Sequence, residues 1–205
     1  MSTIPINLGI EDELSEALLR RLLSHTGRGY SVGTAYRRGG FGYLRRTVKG
    51  WNRAARGVPF VLLTDLDVYT CPRALIEEWL HEPQHPNLIF RIAVREAEAW
   101  LLADRGNLAA YLAVGESQVP SNPDTLPDRK SALIALAQRS RSSAIRNRIV
   151  PKSGSTAKQG PDYNGCLVAF VAHGWDVDVA ATTSPSLARA VKRLVEFRPE
   201  WPPSQ

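Results

Sequence analysis

The sequence contains little cysteine and no long apolar run, and each of these shortages argues against a class of protein. Cys71 and Cys166 are the only cysteines among the 205 residues, and they lie far apart without the spacing of metal ligands. This usage is typical of free thiols in a reducing compartment. No apolar segment approaches the roughly 20 residues needed to span a bilayer. The amino terminus lacks the charged and apolar regions of a signal peptide, so we expect a cytoplasmic protein that does not enter a membrane.

Lysine is scarce beside arginine, although the chain carries a net charge of +6. The lysines are Lys49, Lys130, Lys152, Lys158 and Lys192. The planar guanidinium of arginine suits phosphate contacts, so the basic balance favours an acidic partner such as nucleic acid. A codon bias of the source organism would give the same excess of arginine, and this alternative stays open.

The segment from Pro59 to Asp67 is the stretch on which the fold prediction depends. Four apolar residues in a row, Phe60 to Leu63, predict a short strand buried on both faces of a parallel sheet. Asp65 and Asp67 follow at its carboxyl end, where open α/β sheets bind their ligands. In extended chain the two carboxylates point to the same side, which favours a divalent cation between them. The alternative is that they start a turn and cap the helix beginning near Pro72.

Acidic residues follow two further predicted strands. The alternating residues Ile4 to Ile10 predict the first strand, which ends directly at Glu11. The apolar run from Leu88 to Val94 predicts another core strand, which leads into Glu96 and Glu98. Some of these acids could simply complement the dipole of the following helix. Carboxylates at three strand ends nevertheless predict one site, and oxygen ligands select Mg²⁺ or Mn²⁺ over zinc.

Between the first two of these strands the sequence is basic. Residues 27–42 are rich in glycine and arginine but contain no dinucleotide-binding fingerprint, so we expect a flexible basic loop. Apolar residues at helical spacing then predict a helix whose remaining surface carries Arg45, Arg46, Lys49, Arg53 and Arg56. Such a charge run forms either a solvated face or a nucleic-acid contact, and we select Arg45, Arg46, Lys49 and Arg53 as candidate nucleic-acid-binding residues.

Two short segments resemble known binding motifs but lack a feature that each motif requires. His81 to His85 matches the His-Glu-x-x-His zinc motif, but Pro83 lies inside it and would break the required helix, so we predict a loop without zinc. The Gly/Ser/Lys segment 151–161 lacks the residue order of a phosphate-binding P-loop. It does contain Lys158, the preferred candidate for stabilising developing negative charge.

From about Asn107 onward the pattern predicts helices and loops without a convincing strand. We expect helices over 130–137, 163–175 and 186–197. The predicted fold is therefore α/β, with a Rossmann-like core around a central parallel sheet and a mostly helical carboxyl-terminal half. The expected division is a core of residues 1–104 and a helical extension of residues 105–205, packed together as one compact unit.

A glutamate after the first strand and an Asp-x-Asp after a later one resemble the TOPRIM (topoisomerase–primase) domain. More narrowly, Arg-Glu-Ala-Glu-Ala-Trp-Leu-Leu-Ala-Asp at 95–104, together with Gly-Pro-Asp-Tyr-Asn at 160–164, resembles a family of small bacterial TOPRIM-like proteins. Members of this family are often encoded beside AAA or SMC-like ATPases in phage-defence islands. The resemblance covers most of the chain, with the TOPRIM core over roughly Ile4 to Asp104.

The resemblance implies a Mg²⁺- or Mn²⁺-dependent nuclease of the OLD (overcoming lysogenization defect) kind, acting on DNA or RNA with an ATPase partner. The matching metal ligands are Glu11, Asp65, Asp67, Glu96 and Glu98. The implied catalytic residues are Glu11, Asp65, Asp67 and, more loosely, Lys158. In TOPRIM domains a glycine normally follows the first glutamate, whereas Asp12 stands here. The chain also lacks the tyrosine-bearing domain of a topoisomerase and the template-binding parts of a primase, which favours the nuclease branch.

A second hypothesis from a different class is a non-catalytic TOPRIM-like subunit that docks on an ATPase and regulates it. The sequence does not distinguish DNA from RNA or tRNA as the substrate, nor does it identify the ATPase. It leaves the oligomeric state open, including a homo-oligomer.

Overall fold

The computed structural model describes residues 3–66, 68–94 and 96–201, so the predicted ligand Asp67 lies outside the described residues. Contacts divide the chain into two compact units. The first unit comprises Met1–Ala97 and Ala188–Gln205, and the second comprises Glu98–Leu187. The sequence predicts a boundary after residue 104, whereas the second unit begins at Glu98.

The first unit contains a four-stranded parallel sheet. Its strands are β1 (Ile4–Ile10), β2 (Tyr30–Tyr36), β3 (Phe60–Asp65) and β4 (Leu88–Ala93), in the spatial order β2-β1-β3-β4. The expected α/β class and parallel sheet are confirmed, as are three predicted strands. All six residues of β3 except Asp65 are buried, because neighbouring strands flank it and helices cover it.

The prediction of a flexible basic loop over residues 27–42 was wrong, because this segment contains β2. β2 lies at the edge of the sheet and pairs with β1 alone. None of its seven residues is buried. An edge strand of this kind needs no apolar run, since its backbone hydrogen bonds to β1 rather than side-chain burial hold it in place. The sequence therefore carried little signal for it.

Three helices connect the strands. They are α1 (Glu13–His25), α2 (Gly40–Ala54) and α3 (Pro72–Leu80). Side chains of α2 and α3 form a buried cluster with Phe60 and Leu62 of β3 and with alternate residues of β4. Val61 and Leu63 point to the opposite face by strand alternation. Since parallel crossovers are right-handed, α1, which contacts β1, β2 and β3, covers that second face.

Gly9 of β1 lies under α2 at a point of close approach. A Cβ atom at this position would be 2.8 Å from Cζ3 of Trp51 and 2.9 Å from Cγ of Leu62. Trp51 also stacks on Phe60, with ring centroids 6.2 Å apart. Glycine is required here for room, because any side chain would displace the packing between α2 and the sheet.

The second unit is helical. Its helices are α4 (Glu98–Ala103), α5 (Arg105–Leu112), α6 (Arg129–Gln138), α7 (Ser143–Ile149), α8 (Tyr163–His173), α9 (Val177–Thr183) and the first residues of α10 (Pro185–Glu196). Short 3-10 turns occur at Glu116–Gln118 and Pro123–Thr125. Residues 98–187 contain no strand, and the three predicted helices lie within two residues of their expected bounds. From Ala188 onward, α10 belongs to the first unit.

The predicted loop at the His-Glu-x-x-His spacing is confirmed. α3 ends at Leu80, and His81 adopts a left-handed conformation with φ of 50°. No helix covers residues 81–85, so the two histidines do not share a helical face. In the part of the chain that the structure describes, no helix is both long enough and apolar enough to cross a membrane.

We expect Gly9→Ala to lower the free energy of unfolding by about 1–3 kcal/mol, because the added methyl overpacks the contact with Trp51. Gly50→Ala is the control. Gly50 lies on α2, and no atom lies within 4 Å of the place that a methyl group would occupy. Alanine there should stabilise the helix by about 0.5–1 kcal/mol. Urea unfolding monitored by circular dichroism measures both changes, and similar effects of the two would contradict this packing account.

Candidate functional site

The carboxyl edge of the sheet contains a point at which the strand order reverses. The chain passes from β1 to β2 on one side and then to β3 on the other side of β1. In open α/β sheets, ligands bind in the crevice at such a point. Glu11 follows the last residue of β1, and Asp65 is the last residue of β3. The fold therefore brings these two predicted site residues to the same crevice.

The carboxylate of Glu11 lies directly against the end of β3. Its Oε1 accepts a hydrogen bond from the hydroxyl of Thr64 and a second, of 3.1 Å, from the backbone N–H of Asp65. Thr64 is buried, with 1% of its surface exposed. Two donors on one oxygen fix the orientation of the carboxylate, as outer contacts do for metal-binding carboxylates.

Asp65 extends this contact to the segment that follows β4. Its Oδ1 accepts a hydrogen bond of 2.8 Å from the backbone N–H of Ala97. The backbone of Leu66 also donates to the carbonyl of Ala93, at 2.9 Å. The ends of β1, β3 and β4 are thus joined through two carboxylates. Glu96, which immediately precedes Ala97, is half-buried.

The described residues provide two neighbouring acids at this edge. Across residues 3–66, 68–94 and 96–201, no group of three or more His, Cys, Asp or Glu side chains is placed to hold a metal ion. Glu96 therefore does not complete such a group with Glu11 and Asp65. Because Asp67 lies outside the described residues, the full predicted ligand set stays a prediction.

Glu98 is held inside the second unit by two other groups. The residue is 5% exposed, and its Oε1 accepts a hydrogen bond of 3.2 Å from the hydroxyl of Tyr163. The Nζ of Lys130 lies 3.7 Å from the same oxygen and 6.0 Å from the centroid of the Tyr163 ring. A buried carboxylate needs a cation and donors, and here Lys130 and Tyr163 provide them.

These contacts give a structural reason for the two sequence motifs at 95–104 and 160–164. Glu98 belongs to the first motif and Tyr163 to the second. The indole of Trp100 donates to Ser186 Oγ at 2.8 Å, and the carbonyl of Trp100 accepts from the indole of Trp175 at 3.1 Å. The motif residues therefore contribute to a buried polar network in the second unit. A sequence pattern alone gives no indication of such pairing, because Glu98 and Tyr163 are 65 residues apart.

The catalytic candidate Lys158 is exposed in the segment between α7 and α8. That segment approaches α7 closely at Gly160, whose backbone N–H donates to the carbonyl of Ile149 at 2.8 Å. A Cβ atom at Gly160 would overlap the carbonyl oxygen of Arg148, which explains the need for glycine there. Lys158 thus belongs to the second unit, whereas Glu11 and Asp65 belong to the first.

The predicted nucleic-acid-binding residues lie along α2, and two of the four are paired with acids. Arg45 forms an ion pair of 2.8 Å with Glu78, and Arg53 forms one of 3.4 Å with Glu82. Within the described ranges neither Arg46 nor Lys49 forms an ion pair, although the charge of Lys49 acts on Glu82. The residues that line a shallow groove between α2 and α3 include the acid Glu78 together with Phe41, Arg45, Arg46, Lys49, Trp79 and His81. The hydrogen bond from Asn52, followed by the charges of Arg53 and Lys49, lowers the pKa of Glu82.

We expect Tyr163→Phe to lower the free energy of unfolding by about 1–3 kcal/mol, because it removes a donor to the buried charged carboxylate of Glu98. Tyr111→Phe is the matched control. It removes a hydroxyl that donates to the neutral backbone carbonyl of Cys166 at 2.7 Å, so its effect should be smaller. Urea unfolding measures both variants. An equal or smaller loss for Tyr163→Phe would show that the Glu98 contact contributes little.

Comparison of the chain with protein-family models, with curated proteins and with solved structures gives no match. The structure-based case for a function therefore comes from the geometry of the strand ends and from the charge of α2.

Proposed function

We propose that this protein is a metal-dependent nuclease subunit with a TOPRIM-like core, which cuts DNA or RNA in an antiviral system together with an AAA or SMC-like ATPase. The observation that carries the proposal is the contact between Glu11 and the end of β3 beside Asp65. Acids from two separate strands meet at the crevice where ligands of open α/β sheets bind. The ATPase partner and the antiviral role rest on the family resemblance of the two sequence motifs.

The residues at the edge of the sheet are compatible with a divalent cation. Glu11 and Asp65 offer oxygen ligands, which Mg²⁺ and Mn²⁺ prefer, and Asp67 is two residues further along the chain. Hydrogen bonds from Thr64 and from backbone N–H groups hold the two carboxylates in fixed orientations. When bound, such a cation would neutralise phosphate charge and activate water. The chain's own acids would bind the cation and orient it toward the substrate.

The basic side chains of α2 support the part of the proposal that concerns binding of nucleic acid. Arg46 is exposed and Lys49 is half-exposed, and neither forms an ion pair with an acid within the described part of the chain. Cations of this kind bind the phosphate backbone without reading sequence. Together with the net charge of +6, they favour a polyanionic substrate over a small neutral one.

Cation binding and cleavage should both depend on Glu11 and Asp65. We expect Mn²⁺ to bind the purified chain, as measured by calorimetry, and binding to weaken at least about tenfold in Glu11→Gln and Asp65→Asn. With the ATPase encoded beside the gene, we expect Mg²⁺- or Mn²⁺-dependent cleavage of nucleic acid that these variants lose. The amide side chains keep the oxygen acceptors for Thr64 and Ala97, so both variants should fold normally.

Asp128→Asn is the control for this experiment. Asp128 is the amino-terminal cap of α6 in the second unit, and asparagine caps equally well. Asp128→Asn removes one negative charge, as Glu11→Gln and Asp65→Asn do, but leaves the edge of the sheet unchanged. Cleavage that survives in Asp65→Asn, or that falls equally in Asp128→Asn, would rule out the proposed site.

The alternative function, a non-catalytic subunit that regulates an ATPase, is favoured by one observation. Glu98, one of the two acids predicted as metal ligands after β4, is buried against Lys130 and Tyr163. Because Glu98 is occupied by these contacts, fewer acids are left to bind a cation. The alternative function predicts stable association with the ATPase, together with normal antiviral protection by the Glu11→Gln, Asp65→Asn double variant.

Nucleic-acid binding should depend on α2. We expect the Arg46→Ala, Lys49→Ala double variant to bind a DNA of about 30 nucleotides more weakly than the wild type, as measured by fluorescence anisotropy. The slope of the logarithm of the binding constant against the logarithm of the salt concentration should also fall, by an amount equivalent to up to about two released counterions. The control is Arg20→Ala, Arg73→Ala, which removes the same charge from two exposed ion pairs on α1 and α3. An equal loss in both double variants would indicate a general charge effect without a defined surface.

A further inference from the structure

Arg91 is a charged residue in the middle of β4, a strand that is otherwise apolar. It pairs with Leu63 of β3 in the sheet register. Leu88, Phe90 and Ile92 belong to the cluster beneath α2 and α3, so Arg91 points to the opposite face of the sheet. Its Nε atom is buried and has no hydrogen-bond partner among the described residues. A buried guanidinium donor without an acceptor is costly, which calls for a ligand.

The carboxyl-terminal part of α10 and the residues after it contact the segment just before β4 in the first unit. The guanidinium of Arg193 donates to the carbonyl of Pro86 at 3.2 Å, just before β4 begins. Beyond the helix, Asn87 and Glu200 exchange two hydrogen bonds, of 2.7 and 2.8 Å. The later residues of α10 therefore lie near the start of β4, and Arg189 lies one helical turn before Arg193.

The charges of Arg189 and Arg193 act on Arg91, and no acid in the described part of the chain forms an ion pair with these three residues. Burial, followed by the positive charges of Arg189 and Arg193, lowers the pKa of Arg91. The sequence of α10 contains one acid, Glu196, and it pairs with Lys192 at 3.8 Å. Like charges at short range are unfavourable unless an anion joins them.

Nearby arginines that do have acceptors show the contrast. Arg28 and Arg198 each donate to backbone carbonyls at the end of α10, at Val195 and Phe197. Those guanidinium groups therefore satisfy the last turn of the helix. Arg193 is also held in position by the ring of Phe197, 5.5 Å away. The Nε of Arg91, by contrast, is enclosed without an acceptor from the described residues.

We infer that Arg91, Arg189 and Arg193 form a binding site for a phosphate group on the face of the sheet opposite α2. The planar fork of arginine matches two oxygens of a phosphate, and one phosphate can accept hydrogen bonds from several guanidinium groups at once. The phosphate would supply the acceptor that Arg91 Nε lacks and would offset the repulsion among the three cations. This site uses none of the residues assigned to the proposed nuclease centre, so it stands or fails independently of that function.

The test uses the full-length protein and three single variants. Arg91→Leu removes the guanidinium group with its buried Nε and keeps an apolar stem beside Leu63. Arg189→Gln removes the charge of an exposed side chain at the proposed site. Lys192→Gln is the matched control, because it removes one charge from the same helix outside the proposed site.

Binding of pyrophosphate is measured by calorimetry and by the rise in melting temperature at constant ionic strength. We expect the wild type and Lys192→Gln to bind equally, and Arg91→Leu and Arg189→Gln to bind about tenfold more weakly or not at all. Without pyrophosphate, Arg91→Leu should melt at the same temperature as the wild type or higher, because a buried donor without an acceptor has been removed.

A second arm identifies the source of the phosphate. If the group belongs to a nucleic-acid backbone, Arg91→Leu should also weaken binding of the DNA oligonucleotide. If it belongs to a small phosphate compound, DNA binding should be unchanged while pyrophosphate binding is lost. Either result supports the site. Equal pyrophosphate binding by all four proteins, or a lower melting temperature for Arg91→Leu without ligand, would overturn it.

Discussion

The hydrogen bonds from Thr64 and Asp65 to the carboxylate of Glu11 are the contacts on which the candidate site depends. Glu11 comes from the end of β1 and its donors from the end of β3, so the contact exists only when the two strands are paired in their observed register. A shift of one residue would turn Thr64 to the other face of the sheet and remove its hydroxyl from Glu11. The geometry of the acids is therefore a direct consequence of sheet pairing.

Charged groups of the first unit lie at three different places on the sheet. Acids collect at the carboxyl edge, where the strand order reverses, and the cations of α2 lie on a helix that covers one face. On the other face, burial and the charges of Arg189 and Arg193 on α10 lower the pKa of Arg91. A charged group that is buried without a partner carries a free-energy cost, and for the Nε of Arg91 that cost suggests a ligand. In the second unit the same cost is met internally, since Lys130 and Tyr163 serve Glu98.

The strand-end acids and the two longer sequence motifs have different roles in the structure. Glu11 and Asp65 meet in the first unit, whereas the Glu-Ala-Trp segment and the Pro-Asp-Tyr segment hold helices of the second unit together. A motif that resembles a family signature can thus consist of residues that hold helices together. Glu98 illustrates the point, because its burial and its lysine partner give it a structural role whatever else it does.

The sequence by itself determined the α/β class, the strands at Ile4, Phe60 and Leu88, and most helices, because apolar periodicity is a local property. It also predicted that Glu11 and Asp65 would meet, since parallel strands end at a common edge. It missed β2, whose exposed residues depend on an edge position beside β1. Only the tertiary structure decided that Glu98 pairs with Tyr163 and Lys130 and that charges on α10 act on Arg91. Those contacts join residues far apart in the chain, and no local pattern indicates which distant side chains will become neighbours.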